Sequence, residues 1–167
     1  AENGLLIIGQ LRCNKDREYA ICLADKLQWP CFADILSGLR GVCGIAAHDQ
    51  MLFADCGLKD YHPDVVLQLG GRITSKRLQE GFLNNRAGRK HIFVDSHSQR
   101  LDPNASITYR VQTKIADFCE HLLTTIKNSM PACYHETLSA ISLATEKIIE
   151  NEIQREGSLT EPFLAQM

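Results

Sequence analysis

Two short apolar runs, each closed by glycine, constrain this chain more than any other feature. They are Leu5-Leu6-Ile7-Ile8-Gly9 and Val65-Val66-Leu67-Gln68-Leu69-Gly70-Gly71. A strand with one wet face alternates apolar and polar side chains. A continuous run suits a strand buried on both faces, as in a parallel sheet. Cys31-Phe32-Ala33-Asp34-Ile35, His91-Ile92-Phe93-Val94-Asp95 and Ile107-Thr108-Tyr109-Arg110-Val111 supply three more strands.

Between these runs the apolar period lengthens. Asn14 is placed to cap a helix, Asp16 falls in its first turn, and Ala20, Ile21, Ala24 and Leu27 follow at helical spacing. Pro30 closes that helix. A less defined helix covers residues 48–56, and another covers 74–83 with Thr74 as its N-cap. Ile115, Phe118, Leu122 and Ile126 form the apolar stripe of a fourth. Strands alternating with helices predict an α/β domain. The expected architecture is a Rossmann-like parallel sheet of five to six strands with helices on both faces.

After Met130-Pro131 a longer helix is predicted over residues 133–156. Tyr134, Leu138, Ile141, Ile148 and Ile149 make its apolar side, and Gly157 can end it. Ser158-Leu159-Thr160-Glu161-Pro162 has the marks of a fresh helix start. The expected organisation is a Rossmann-like domain over 1–130, a helical linker over 131–157 and the truncated start of a next domain over 158–167. A first residue of Ala1 rather than Met fits a piece of something longer.

Charge and cysteine usage narrow the function classes. Eighteen Lys and Arg against twenty Asp and Glu give a net charge of −2, which argues against nucleic acid or an anionic membrane as partner. No apolar run approaches the roughly 18 residues that cross a bilayer. The seven cysteines are scattered, with no CxxC and no Cys/His pair at zinc spacing. They read as small buried thiols in a reducing compartment, and no metal site is expected. His91, His121 and His135 fall in strands or helices and read as structural.

In an open parallel sheet, ligands sit beyond the carboxyl ends of the strands. Four polar loops fall there, over residues 9–15, 34–40, 70–77 and 95–104. The first, Gly9-Gln10-Leu11-Arg12, lacks the GxGxxG spacing of a pyrophosphate turn. The third places Lys76 and Arg77 in the first turn of a helix, where cations are disfavoured by about 0.3–1 kcal/mol each. Two readings stand side by side. Lys76, Arg77 and Arg72 form an anion site with the helix amides, or they are solvated cations. Ser37 and Arg40 after the second strand, and Arg100 after the fourth, are weaker anion-binding candidates. No triad of nucleophile and base is visible.

The series of motifs resembles one family. Gly9-Gln10-Leu11-Arg12, Trp29-Pro30 and Ala33-Asp34-Ile35-Leu36-Ser37 form its first part. Pro63-Asp64-Val65-Val66-Leu67-Gln68-Leu69-Gly70 with Thr74-Ser75-Lys76-Arg77-Leu78 form the second. Val94-Asp95 with Arg100-Leu101-Asp102-Pro103 form the third. Over residues 4–128 the chain is similar to the central domain of the 2-succinyl-5-enolpyruvyl-6-hydroxy-3-cyclohexene-1-carboxylate synthases. These are thiamine-diphosphate enzymes of menaquinone and phylloquinone biosynthesis. The cysteine-rich wording resembles the plant form, a module of a multifunctional plastid protein; outside that reading a cytoplasmic location is expected.

The resemblance implies a sheet of about six strands that carries no nucleotide. It implies a reaction that decarboxylates 2-oxoglutarate and adds the product to isochorismate. Lys76 and Arg77 match the family's Lys-Arg pair that reaches the isochorismate site. Thiamine diphosphate and Mg2+ are implied for the full enzyme and not for this piece, which should be inactive alone. The implied partners are the flanking domains of the same chain and further copies of the full-length enzyme. The alternative is a free-standing Rossmann-like module that binds a nucleotide or small carboxylic acid.

Overall fold

The computed structural model describes residues 3–54, 58, 61–84, 87–99, 102–126 and 133–155. The apolar runs form the middle of one five-stranded sheet. Its strands are β1 (Gly4–Ile8), β2 (Cys31–Ala33), β3 (Val65–Leu69), β4 (Lys90–Asp95) and β5 (Tyr109–Gln112). Every pairing is parallel, and the spatial order is β2-β1-β3-β4-β5. Among the described residues five α-helices accompany them: α1 (Asn14–Leu27), α2 (His48–Ala54), α3 (Lys76–Phe82), α4 (Ile115–Thr125) and α5 (Cys133–Arg155). The expected α/β class is borne out.

Alternate residues of the inner strands feed two separate cores. Leu6, Ile8, Leu67, Leu69 and Val94 pack under α1 and α4 with Ala20, Leu23, Ile115 and Cys119. Leu5, Ile7, Phe32 and Val66 pack on the other face with Met51 of α2, Leu78 and Phe82 of α3, and Leu138 of α5. Each such fully buried aliphatic side chain contributes about 1.5–3 kcal/mol. That double burial is why the strands lack polar alternation.

Several local expectations are corrected. Asn14 is the first residue of α1, not its cap. Cys13 holds the cap position without a side-chain bond, and the Asn14 amide oxygen accepts from Arg17 at 2.7 Å. The carboxylate of Asp16 reaches across to accept from the Ala116 amide, at 3.0 Å, and so ties α1 to the start of α4. β2 stops at Ala33, because Asp34 turns its side chain back to cap the 3-10 turn Ile35–Ser37. Ser75, not Thr74, caps α3: its hydroxyl accepts from the Leu78 amide at 3.1 Å.

The sheet order reverses between β1 and β3, which is where an open α/β sheet normally parts to admit a ligand. Here the two loops are sewn together. The Gly9 amide donates to the Leu69 carbonyl at 2.8 Å, Gln10 to Arg72 at 3.0 Å and Gly71 to Gln10 at 3.2 Å. Gly70 makes this approach possible. Its φ is +82°, and a Cβ there would stand 2.5 Å from the Gln10 carbonyl oxygen.

The first half of α5 belongs to the α2 and α3 face. Leu138 is fully buried, and Tyr134 and Ile141 pack beside it. The Ser142 hydroxyl accepts from the buried Ala47 amide at 3.1 Å and donates to Glu146 at 2.8 Å. Ile148, expected on the apolar side, is exposed together with Leu143. Ser142→Ala leaves the Ala47 N–H without its acceptor, so urea denaturation should show a loss of about 1–3 kcal/mol. The expectations for Met130-Pro131, Gly157 and residues 158–167 lie outside the described residues.

Candidate functional site

The carboxyl ends of the parallel strands all open on one edge of the sheet, and Asp34 organises that edge. It follows β2 directly and is almost wholly buried. Its carboxylate accepts from the Leu36 amide at 3.0 Å, the Thr74 amide at 2.8 Å, the Ser75 amide at 3.1 Å and the Thr74 hydroxyl at 2.9 Å. An ionised carboxylate only accepts, so it fits a ring of donors. The result fastens the loop after β2 to the loop after β3 and sets where α3 begins.

From that start, Lys76 and Arg77 take the first two positions of the helix. Lys76 is highly exposed and stands 3.6 Å from Glu80, a contact of little energetic weight at the surface. The Arg77 guanidinium lies 4.8 Å from the ring centre of Phe53, itself 74% exposed. Asp49, Gln50, Phe53 and Arg77 line a shallow depression of about 250 Å3 between α2 and α3.

Asp49 links this depression to the loop after β2. It accepts from Arg40 at 2.8 Å and from the Ser75 hydroxyl. Burial alone would raise its pKa. The Ser75 hydroxyl, His48 and Arg40 outweigh burial and hold the carboxyl below its ordinary value. His48 is fully buried and stacks on Phe32, with ring centres 5.2 Å apart. Its Nδ1 is 2.8 Å from the Ile45 carbonyl, and burial lowers its pKa.

Of the expected site residues, Arg77 lines this depression with Asp49, Arg40 pairs with Asp49 from the loop after β2, and Lys76 precedes Arg77 in α3. Ser37 is placed elsewhere. It is buried, donates to the Asp34 carbonyl at 2.6 Å and accepts from the Leu39 amide at 2.9 Å, so its hydroxyl shapes the loop. Arg72 lines a different cavity of about 330 Å3, between α3 and the connection from β4 to β5. Arg100 lies outside the described residues. Arg110 shapes the neighbouring loop by donating to the His97 and Gln99 carbonyls at 2.7 and 3.0 Å.

The floor of the larger cavity is polar although it rises from two central strands. Gln68 Nε2 donates to the Gly71 carbonyl at 3.1 Å, which leaves Gln68 Oε1 facing His91 Nε2 at 3.1 Å. His91 Nε2 therefore carries the proton, and His91 Nδ1 accepts from the Ser106 hydroxyl at 3.1 Å. Burial pushes the His91 pKa down to about 4. Sequence reasoning passed over Asp34, Asp49 and Phe53. For Asp34 a signal existed: an Asp just after an apolar strand and two residues before an amide it can cap.

A family model described as the middle domain of thiamine pyrophosphate matches residues 1–167. The chain belongs to that family. Among its relatives, "Protein PHYLLO, chloroplastic" from Arabidopsis thaliana is 34% identical over the whole of this chain and 10% of that protein. A 2-succinyl-5-enolpyruvyl-6-hydroxy-3-cyclohexene-1-carboxylate synthase from Rubrobacter xylanophilus is 29% identical over the whole chain and 30% of the enzyme. One from Chlorobium phaeobacteroides is 29% identical over 96% of the chain and 27% of the enzyme. The resemblance drawn from the motifs is thus borne out. This middle domain spans no more than about three tenths of the length of those relatives. Among the described residues no helix is long and apolar enough to cross a membrane, and no three His, Cys, Asp or Glu side chains cluster as metal ligands.

Proposed function

We propose that this middle domain is the central domain of a thiamine-diphosphate-dependent synthase of menaquinone and phylloquinone biosynthesis. That enzyme decarboxylates 2-oxoglutarate and adds the product to isochorismate. The domain supplies cations to the isochorismate site, and flanking domains of the same chain supply the rest. A plastid location follows from the chloroplastic relative.

The observation that carries this reading is the start of α3. Asp34 and Ser75 fix it, and Lys76 and Arg77 open from it beside the depression against α2. Isochorismate is a dicarboxylate, and Lys and Arg are the side chains that bind carboxylates with charge-assisted hydrogen bonds. The turns after β1 and β3 do not fit a diphosphate. The amides of Gly9, Gln10 and Gly71 donate to carbonyls of the same pair of loops. The thiamine diphosphate and its Mg2+ are therefore assigned to the flanking domains. When bound, the thiazolium stabilises the carbanion left by decarboxylation. In this middle domain the work is positional: Lys76 and Arg77 bind and orient the acceptor acid.

Lys76→Ala and Arg77→Ala in the full-length enzyme should each lower kcat/KM for isochorismate by roughly ten- to a hundredfold, since a charged hydrogen bond contributes about 1.5–3 kcal/mol. Consumption of 2-oxoglutarate without acceptor should change far less. Steady-state kinetics on both substrates and a thermal melt test this. Unchanged isochorismate kinetics in both variants overturn the assignment. Loss of both half-reactions with a lowered melting point makes the two cations structural instead.

A further inference from the structure

We propose that Cys31 and Cys43 are a modification site, a dithiol that closes into an intramolecular disulfide by exchange with a small-molecule disulfide. Their sulfurs are 3.9 Å apart in the core beneath α1. A disulfide needs about 2.05 Å. Closing that gap takes side-chain rotation and a shift of the loop.

The backbone holds the pair together independently of the thiols. The Ile45 amide donates to the Cys31 carbonyl at 2.8 Å. Gly44 lies against Cys31 so closely that a Cβ would meet the Cys31 Cβ at 2.8 Å and its carbonyl oxygen at 2.3 Å. The segment carrying Cys43 is therefore fixed on Cys31 by its own turn.

The two thiols are not equivalent. Cys31 is 2% exposed, and Cys43 is 8% exposed at the end of a loop with left-handed glycines at 38, 41 and 44. A Cβ on Gly41 would meet nothing within 4 Å, so the loop faces open space there. The hydrogen bond from Cys31 favours the Cys43 thiolate, while that same bond and burial keep Cys31 protonated. Cys43 is thus the attacking thiolate. It attacks one sulfur of oxidised glutathione, and one glutathione thiolate leaves. Cys31 then loses its proton and attacks the Cys43 sulfur, releasing the second glutathione. Overall two protein thiols are oxidised and one glutathione disulfide is reduced to two thiols.

The bridge would close the segment that holds Asp34, which bonds the start of α3 directly, and Arg40, which reaches it only through Asp49 and the Ser75 hydroxyl. Oxidation therefore stiffens the loop that supports the candidate site.

The test equilibrates the full-length protein in buffers of rising oxidised-to-reduced glutathione ratio. Remaining thiols are blocked with N-ethylmaleimide under denaturing conditions, and the tryptic peptides are weighed and fragmented. The expected product joins the peptide of residues 27–40 to that of 41–59 through Cys31 and Cys43, with Cys56 blocked. Exposed Cys13 and Cys22 serve as references for glutathione adducts. The oxidised protein should melt roughly 5 °C higher. That shift should vanish with dithiothreitol and be absent when the oxidised and reduced melts of Cys43→Ala are compared. Both thiols blocked at every ratio overturn the proposal. So does a lasting Cys43–glutathione adduct or a Cys43–Cys56 link.

Discussion

Asp34→Ala should lower the free energy of unfolding by about 3–5 kcal/mol. One carboxylate serves three backbone amides and one hydroxyl, from two loops 40 residues apart in sequence. Removing it leaves each donor without a partner, at about 1–3 kcal/mol for a buried one. Thr74 and Ser75 lie near the surface, so water recovers part of that loss. Asp34→Asn keeps one acceptor oxygen but turns an N–H2 towards the amides, and it should recover less than half. Denaturant titration of the full-length protein should show a lower midpoint at an unchanged slope. An unchanged midpoint for Asp34→Ala would mean that the two loops hold their places without it. Because the carboxylate also sets where α3 starts, the function proposed above predicts a loss of isochorismate turnover beyond what instability explains.

Acid should destabilise the protein through His91, well above the pH at which carboxylates protonate. The folded pKa of His91 lies near 4, against about 6.5 in the unfolded chain. Burial is the main cause, and the nearby Arg89 adds to it. A base whose folded pKa is depressed gives its full stability above the unfolded value. As pH falls through 6.5 the unfolded chain takes up a proton that the folded one refuses, and stability drops until about pH 4. Over that window the loss is about 3 kcal/mol. Burial lowers the His48 pKa as well, so its contribution also begins to fall as pH drops through the unfolded value. Asp49 is lowered from a carboxylate value, so its contribution is lost only at more acidic pH. His91→Gln should flatten the stability profile between pH 6.5 and 4 and leave the steeper acid limb. An unaltered slope in that variant would mean that His91 is already protonated in the fold.

The fold was legible because its strongest cues are local. Val65–Leu69 forms β3 with the predicted bounds, since a run that is apolar but for Gln68 is satisfied by cover on both faces. The site was less legible, because the bonds that build it are remote in sequence. Thr74 and Ser75 are equally good caps by type. The choice falls to Ser75 because the Thr74 hydroxyl is drawn to Asp34, which no local window contains. Ser37 has the composition of an anion donor, yet its own loop turns it inward. Gln68 and His91 lie one on each of two adjacent strands and satisfy each other. Neither signals the pairing alone. The Lys76-Arg77 pair was visible as a conflict with the helix dipole, a local rule broken at a candidate site.

The 23 residues of α5 also fix a distance. At 1.5 Å per residue the helix is about 35 Å long. Its packing against the core ends near Ser142, so the stretch from Leu143 to Arg155 reaches roughly 20 Å along the same axis. It acts as a lever arm clamped at one end. One residue inserted in that stretch would swing every later position by about 100° around the axis and push it 1.5 Å outward. Placed just after Leu143, it would turn exposed Ile148 in a new direction while the sheet and its loops stayed as they are. Length and phase in this helix are therefore a geometric setting, separable from the stability of the domain that holds it.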